Sequence, residues 1–515
     1  MRRPFAVAAW ALLLGVLALN VYRAATQSIT HDEALTYLWY VDGPIARAFG
    51  PYMPNNHVLH TLLAWLSVHA LGLSELSLRL PSVLGGLLYL CGALRLSRRA
   101  FGGGAIGLLG FGLLALNPLV LDFLSAARGY SLAMGFWIWA LLQVLQWTDE
   151  AAASGALPPA RRLLRASLLV GLSVAGHLTF ALPGALLLLV AGALVLIQRN
   201  PGAASAAGAK LRSIAALALP AAVLACAFWL PPLVQAQPTR IDYGLPELRD
   251  TSANLVNVSL AHHATHWPLD TQGRTFRSLA LLLSHVFVPL VLVWLVVQLV
   301  PAARRLARAR SAAALGAGER FLLLTGVPLL LALATFVAAH LLIGALYPQD
   351  RWGLYLILLF ILVAVGLVAV GLAADARAAG GRRRTIARLA AAVLACVLLQ
   401  NVVQLQARAY HLWSFDAATA DFFETVVERH AEQPDRPVRV AATNWILVPS
   451  LNFYRALHGA TAWIPEVQSR WTEGDASYDF FFVRHGLHEA WIASHLRLLR
   501  TDEEAGVSLA VPNEP

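Results

Sequence analysis

The sequence predicts an all-α polytopic membrane protein followed by a small carboxy-terminal α/β domain. Three observations predict it. The 515 residues are 58% hydrophobic and only 13% charged, with a mean hydropathy of +0.62, which is far too apolar for a soluble chain of this length. Apolar runs long enough to cross about 30 Å of hydrocarbon recur from Pro4 to about Gln406 and then stop. The remaining residues are mixed in polarity.

The amino terminus, "MRRPFAVAAWALLLGVLALNVY", has a basic start before an apolar run, the layout of a signal peptide. The run is long and no small-residue cleavage site follows, so it is expected to persist as the first helix. Cys91, Cys226 and Cys396 lie far apart inside apolar runs, a pattern that suggests neither a disulfide nor a thiolate metal site. The net charge of +10 includes a single lysine, Lys210, and the arginines are bunched in short connections. That distribution reads as membrane topology and not as a nucleic-acid surface.

The basic clusters are Arg2 and Arg3; Arg95, Arg98 and Arg99; Arg161, Arg162 and Arg165; Arg199, Lys210 and Arg212; and the arginines of 304–310 and 377–388. The positive-inside rule makes all of them cytoplasmic. An even number of crossings must then separate the first two clusters, yet three apolar segments lie between them, at 4–22, 57–73 and 80–96. The middle one, "NNHVLHTLLAWLSVHALGL", is short and carries His57, His60 and His69, so it is expected to lie along the interface, with Asn55-Asn56 as its helix cap. About eleven transmembrane helices follow, at 4–22, 79–97, 104–122, 130–147, 165–180, 182–198, 213–233, 278–300, 320–346, 352–373 and 388–406. The expected domains are 1–406 in the membrane and 407–515 outside it.

This topology sends the reactive groups to one face. His31, Asp32 and Glu33, His57 and His60, Asp122, Arg128, the long loop 234–277, and "LYPQDRW" with Asp350 and Arg351 all fall on the outer side. "NPGAASAAGAK" and "RRLARARSAAALGAGER" read as inner linkers, and the loop 234–277 is long enough to serve as a lid. The tail offers a helical "FDAATADFFETVVERHAEQ" and two strand-like runs, "PVRVAATNW" and "YDFFFVRHG".

"HDEALTY" after the first helix, "NNHVLH" opening the interfacial helix, "LRLPSVLGGLL" starting the next span and "SAARGYSLAMG" after the third together resemble the GT-C superfamily of glycosyltransferases. Within it they resemble most the branch of protein O-mannosyltransferases and the lipid A aminoarabinose transferase (ArnT-like) family. The likeness is good over the first 150 or so residues and rests elsewhere on helix count and the late "DRW" loop. It implies a GT-C fold with interfacial helices, a polyprenyl-phosphate-linked sugar donor, and a catalytic acid in the first outer loop. The expected setting is a bacterial inner membrane, with the active site and tail periplasmic. The expected acceptor is an envelope lipid, glycan or protein, with membrane lipids as surroundings and no nucleic acid.

The residue chemistry agrees. Moving a glycosyl group from a lipid phosphate to a hydroxyl or amine needs a base for the nucleophile and positive charge on the departing phosphate. Asp32 and Glu33 are the candidate catalytic carboxylates. Adjacent residues point about 100° apart on a helix, so both cannot face one atom equally; the resemblance implies Asp32 as the catalytic acid, with Glu33 the neighbour that orients or shifts it. His31, His57, Arg128, Tyr130, Asp350 and Arg351 are the candidate substrate-binding residues, the two arginines as forked donors to phosphate. The bland readings are solvated loop acids and arginines anchored to lipid headgroups. No cofactor is demanded. A divalent metal is admitted by His57 and His60 at i, i+3 or His262 and His266 at i, i+4. The alternatives in other classes are a transporter or lipid flippase, and an envelope assembly protein without catalysis; no two-fold repeat of hydropathy supports a transporter.

Overall fold

A computed structural model describes residues 3–199, 203–236, 243–260, 274–373, 380–468, 475 and 477–513. Its helices in chain order are α1 (Arg3–Thr26), α2 (His31–Thr36), α3 (Val58–Leu71), α4 (Glu75–Phe101), α5 (Ala105–Leu116), α6 (Pro118–Phe123), α7 (Tyr130–Ser154), α8 (Arg161–Gly176), α9 (Ala181–Ile197) and α10 (Ala203–Val234). They continue with α11 (Leu248–Leu260), α12 (Arg274–Leu282), α13 (Val288–Ala309), α14 (Ala317–Ile343), α15 (Leu354–Ala373), α16 (Gly380–Val403), α17 (Thr419–Ala431), α18 (Val448–Leu457) and α19 (Glu489–His495). Among the described residues, four strands, β1 (Val440–Ala442), β2 (Phe480–Arg484), β3 (Leu496–Asp502) and β4 (Val507–Pro512), lie near the carboxy terminus. Among the described residues, eight helices are long and apolar enough to cross a membrane. The three expected crossings outside that set fall on α5 with α6, on α7 and on α8.

The chain forms two compact units. One comprises the described residues of Met1–Ala18, Leu84–Leu124 and Gly129–Leu405; the other comprises Leu19–Val83, Ser125–Arg128 and the described residues of Gln406–Pro515.

The first unit is a helical bundle whose helices approach closely at small residues. A Cβ at Gly85 on α4 would stand 2.6 Å from the backbone nitrogen of Leu132 on α7. Where lipid tails are as apolar as leucine, such close backbone packing is what holds helices together. The run expected as one crossing at 104–122 is broken at Asn117-Pro118. Proline lacks the N–H that would continue α5, and the Asn117 side chain accepts from Val120 N at 3.2 Å to start α6.

The second unit gathers the end of α1, all of α2 and α3, the first turns of α4, and the carboxy-terminal elements around one hydrophobic cluster. Ile29, Ala34, Tyr37 and Val41 from the amino-terminal part pack there with Phe422, Phe423, Leu451, Phe453, Phe480 and Phe482. The sheet order is β1-β2-β4-β3, with β1 parallel to β2 and the other pairs antiparallel. The apolar "FFFV" of β2 serves both faces of the sheet, because side chains alternate along a strand: Phe480 and Phe482 enter the large cluster, while Phe481 and Val483 pack with Ile492, Leu496 and Ala510. Of these strands, β1 and β2 match the runs seen in the sequence; β3 and β4 were not anticipated.

The expected cap of α3 is corrected. His57 is the capping residue and makes no side-chain cap bond. The Asn56 amide is occupied instead, donating to the Ala48 carbonyl at 2.9 Å and accepting from the Thr61 hydroxyl at 3.1 Å.

Candidate active site

The site is built on α2, whose six residues, "HDEALT", run on without a break into one π-helical turn at Tyr37–Val41. So short a helix is stable only if its ends are tied. Thr30 ties the first end: its hydroxyl accepts from Glu33 N at 3.3 Å, while Glu33 Oε2 accepts from Thr30 N at 2.9 Å. This is a capping box, and it commits the Glu33 carboxylate to structure.

Arg79, from the first turns of α4, completes the commitment. Its Nε donates to Glu33 Oε1 at 2.8 Å and its Nη2 to Oε2 at 2.7 Å, with both side chains wholly buried. Its remaining N–H groups reach the carbonyls of Ala24 (3.4 Å), Gln27 (2.7 Å) and Ser28 (2.8 Å), which close the chain between α1 and α2. Ala127 N donates to Glu33 Oε1 at 2.6 Å. Glu33 thus accepts from Thr30, twice from Arg79, and from Ala127, which occupies both oxygens. Burial pushes its carboxyl up, but the Arg79 charge and these hydrogen bonds together bring it below the usual glutamate range. Under Arg79 and Arg23 lies the buried ring of Tyr410, 5.2 and 4.6 Å from the two guanidinium carbons.

Asp32 leaves the same helix in another direction. Its side chain, 9% exposed, faces Arg128, which is 2% exposed, with Nη2 and Oδ2 3.7 Å apart. That separation is an attraction between charges and exceeds a hydrogen bond. The Thr36 hydroxyl, within reach of the Asp32 and Asn55 carbonyls at 3.1 and 3.2 Å, also lies 3.5 Å from Arg128 Nη1. Arg128 is the positive centre of this region. Burial pushes the Tyr40 hydroxyl up to about 12 and that of Tyr52 upward as well, and in both the Arg128 charge opposes the shift. His60, wholly buried with Nε2 3.0 Å from Ser82 Oγ, is pushed down to about 3 by burial first and by Arg128 next, so its ring is neutral.

His31 stands on the other side of Asp32 in sequence. Its backbone N donates to Asp416 Oδ2 at 2.6 Å, and its ring Nδ1 lies 2.7 Å from the Ile446 carbonyl. A carbonyl only accepts, so Nδ1 carries the proton. The Trp445 ring meets the imidazole edge-on, with centroids 5.3 Å apart.

Of the residues singled out from the sequence, His31, Asp32, Glu33, His57 and Arg128 therefore belong to one unit. Tyr130, Asp350 and Arg351 belong to the other. There, Tyr130 stacks on His177 with centroids 3.7 Å apart. Asp350 takes a left-handed backbone (φ 46°) and is held by three bonds. Its Oδ2 accepts from the Tyr243 hydroxyl at 2.8 Å, its Oδ1 accepts from Asn254 Nδ2 at 2.8 Å, and its N donates to Asn254 Oδ1 at 2.7 Å. The Arg351 guanidinium lies 5.6 Å from the centroid of the Tyr243 ring. No group of three or more metal-ligating side chains occurs among the described residues, and His262 and His266 lie outside them.

Sequence reasoning missed Arg79 and Asp416. Arg79 had a readable signal, a lone arginine beside the start of an apolar span, where a charge is costly without a partner. The Thr30-x-x-Glu33 spacing was a second readable signal. Asp416 had none.

No family model matches this sequence, and no curated protein matches it. Among solved structures, the chain is similar to ArnT from Cupriavidus metallidurans bound to undecaprenyl phosphate, with 15% identity over 99% of this chain and 98% of that one and a TM-score of 0.42. It is similar to the oligosaccharyltransferase of Archaeoglobus fulgidus in complex with zinc and sulfate, with 13% identity over 94% and 69% of the two chains and a TM-score of 0.46. It is also similar to the arabinosyltransferase EmbB of Mycobacterium smegmatis, with 15% identity over 80% and 42% and a TM-score of 0.32.

Proposed function

We propose that this protein is an integral membrane glycosyltransferase that moves a monosaccharide from a polyprenyl-phosphate donor to an envelope lipid, glycan or protein, on the periplasmic face of a bacterial inner membrane. The observation that carries the reading is the division of labour between two adjacent carboxylates. Glu33 is consumed by the capping box and Arg79, while Asp32, nearly buried, is presented by the same rigid helix beside Arg128.

In the proposed reaction Asp32 accepts the proton of the acceptor hydroxyl or amine. The nucleophile's electron pair forms the new bond at the anomeric carbon as the bond from that carbon to the phosphate oxygen breaks, and the electron pair leaves with the lipid phosphate. Attack opposite the leaving group inverts the anomeric centre. Arg128, charged throughout and held in a buried setting, opposes the charge that gathers on the departing phosphate. Tyr40, Tyr52 and the neutral His60 border this arginine as uncharged polar groups.

The test is direct. Purified protein in detergent or nanodiscs is incubated with labelled polyprenyl-phosphate sugars and envelope extract; transfer of label from the lipid supports the reading. Intact donor across a panel of sugars and extracts, with monodisperse protein, argues for the transporter class instead.

A further inference from the structure

His31 is gripped from the carboxy-terminal part of the chain at both its backbone and its ring, within the unit that holds Asp32. Its backbone N–H meets Asp416, 385 residues away, and its ring meets the Ile446 carbonyl, 415 residues away. Asp416 is in turn fixed by Ser450, whose hydroxyl lies 2.8 Å from Oδ1 and which sits on α18. The same helix supplies Tyr454, whose hydroxyl accepts from Ile29 N at 2.8 Å, and Phe453, which meets the Tyr37 ring edge-on at 5.3 Å. The Ile446 turn is itself capped, since Asn444 Oδ1 accepts from Ile446 N at 3.0 Å.

We infer that Asp416 is a positioning residue for the reaction proposed above, setting the placement of Asp32 by holding the first residue of α2 from the carboxy-terminal segment. The local capping box leaves orphan N–H groups at the start of a helix, and Asp416 takes the one on His31. Because His31 directly precedes Asp32, a slip of the first turn displaces the carboxylate that must meet the nucleophile. The tail thereby acquires a role in the chemistry through the placement of α2.

Geometry, and not negative charge, is what this role requires. Asp416 is 1% exposed, and burial drives its carboxyl well above the ordinary range, with the Glu33 and Asp32 charges adding to that and the His31 and Ser450 hydrogen bonds opposing it. An asparagine reproduces the arrangement: its carbonyl accepts from His31 N and its amide donates to the Ser450 hydroxyl.

The experiment compares wild type, Asp416→Asn and Asp416→Ala, with Ser450→Ala as a milder disturbance, in donor turnover and in hydrogen–deuterium exchange over residues 28–41. Asp416→Ala is expected to lower kcat about 10- to 100-fold with little change in KM, the loss typical of a misplaced catalytic group, and to speed exchange at the start of α2. Asp416→Asn is expected to stay within about twofold of wild type in both readouts. Normal turnover and exchange in folded Asp416→Ala overturns the inference, as does an equal loss in the asparagine variant. If Asp416→Ala yields no monodisperse protein, Ser450→Ala decides: a lower kcat with faster exchange supports the inference, and wild-type behaviour overturns it. The exchange readout stands even if wild type transfers no sugar, an outcome that defeats the transferase reading alone.

Discussion

Glu33 and Arg79 meet through two parallel hydrogen bonds of 2.8 and 2.7 Å, with neither side chain exposed to solvent. Removing one partner strands a buried charge, which typically costs about 3–5 kcal/mol. Arg79→Met is therefore expected to unfold at a markedly lower temperature or to fail to accumulate. The double variant Arg79→Met with Glu33→Leu should recover part of that stability, as measured by thermal denaturation in detergent.

The same pair predicts a pH dependence. The Glu33 carboxyl is lowered from 4.5 in the folded chain, so its contribution is complete above the unfolded value and is lost as pH falls through the folded one. Stability should decline on acidification below about pH 4.5, and Glu33→Gln should lessen that slope while lowering stability at neutral pH. A Glu33→Gln melting profile parallel to wild type through that range would count against the assignment.

Asp32→Asn keeps the shape of the side chain and removes its basicity. Turnover is expected to fall about 10²-fold or more, within the 10² to 10⁴ typical of general-base catalysis, with expression unchanged. Near-normal turnover of the folded variant excludes the role. A larger loss in Glu33→Gln at equal folded amount reassigns it.

Arg128 tests whether geometry or charge matters at the proposed phosphate contact. Lysine retains the charge and loses the planar fork, so Arg128→Lys should be impaired in donor use and Arg128→Ala more so. A headgroup anchor predicts free exchange with lysine, because a snorkelling cation needs only reach. Donor titrations of both variants separate the two accounts.

Asp350 carries a backbone cost that its side chain offsets. Asp350→Ala loses the side-chain bonds to Tyr243 and Asn254 Nδ2 and keeps the N–H bond to Asn254 Oδ1 and the positive φ, whereas Asp350→Gly makes the same changes and relieves the φ. The alanine variant is expected to be the less stable of the two by about 1 kcal/mol. Equal melting temperatures would show that the left-handed backbone is not retained.

Much of this architecture was legible in the chain itself. Apolar run length marked the eight described helices that are long and apolar enough to cross a membrane, because hydrocarbon thickness acts on composition alone. The tail's mixed polarity marked an α/β segment, and "HDE" after the first helix marked where to look. What composition cannot express is which partner each carboxylate meets. Asp32 and Glu33 are neighbours of nearly equal chemistry, and a helix turns them about 100° apart. Their fates diverge because Arg79, Ala127 and Asp416 arrive at α2 from 46, 94 and 385 residues away. Hydrogen bonds act over about 3 Å, so only the tertiary fold, by bringing those distant groups within that reach, decided that Glu33 became structure and Asp32 was left facing Arg128.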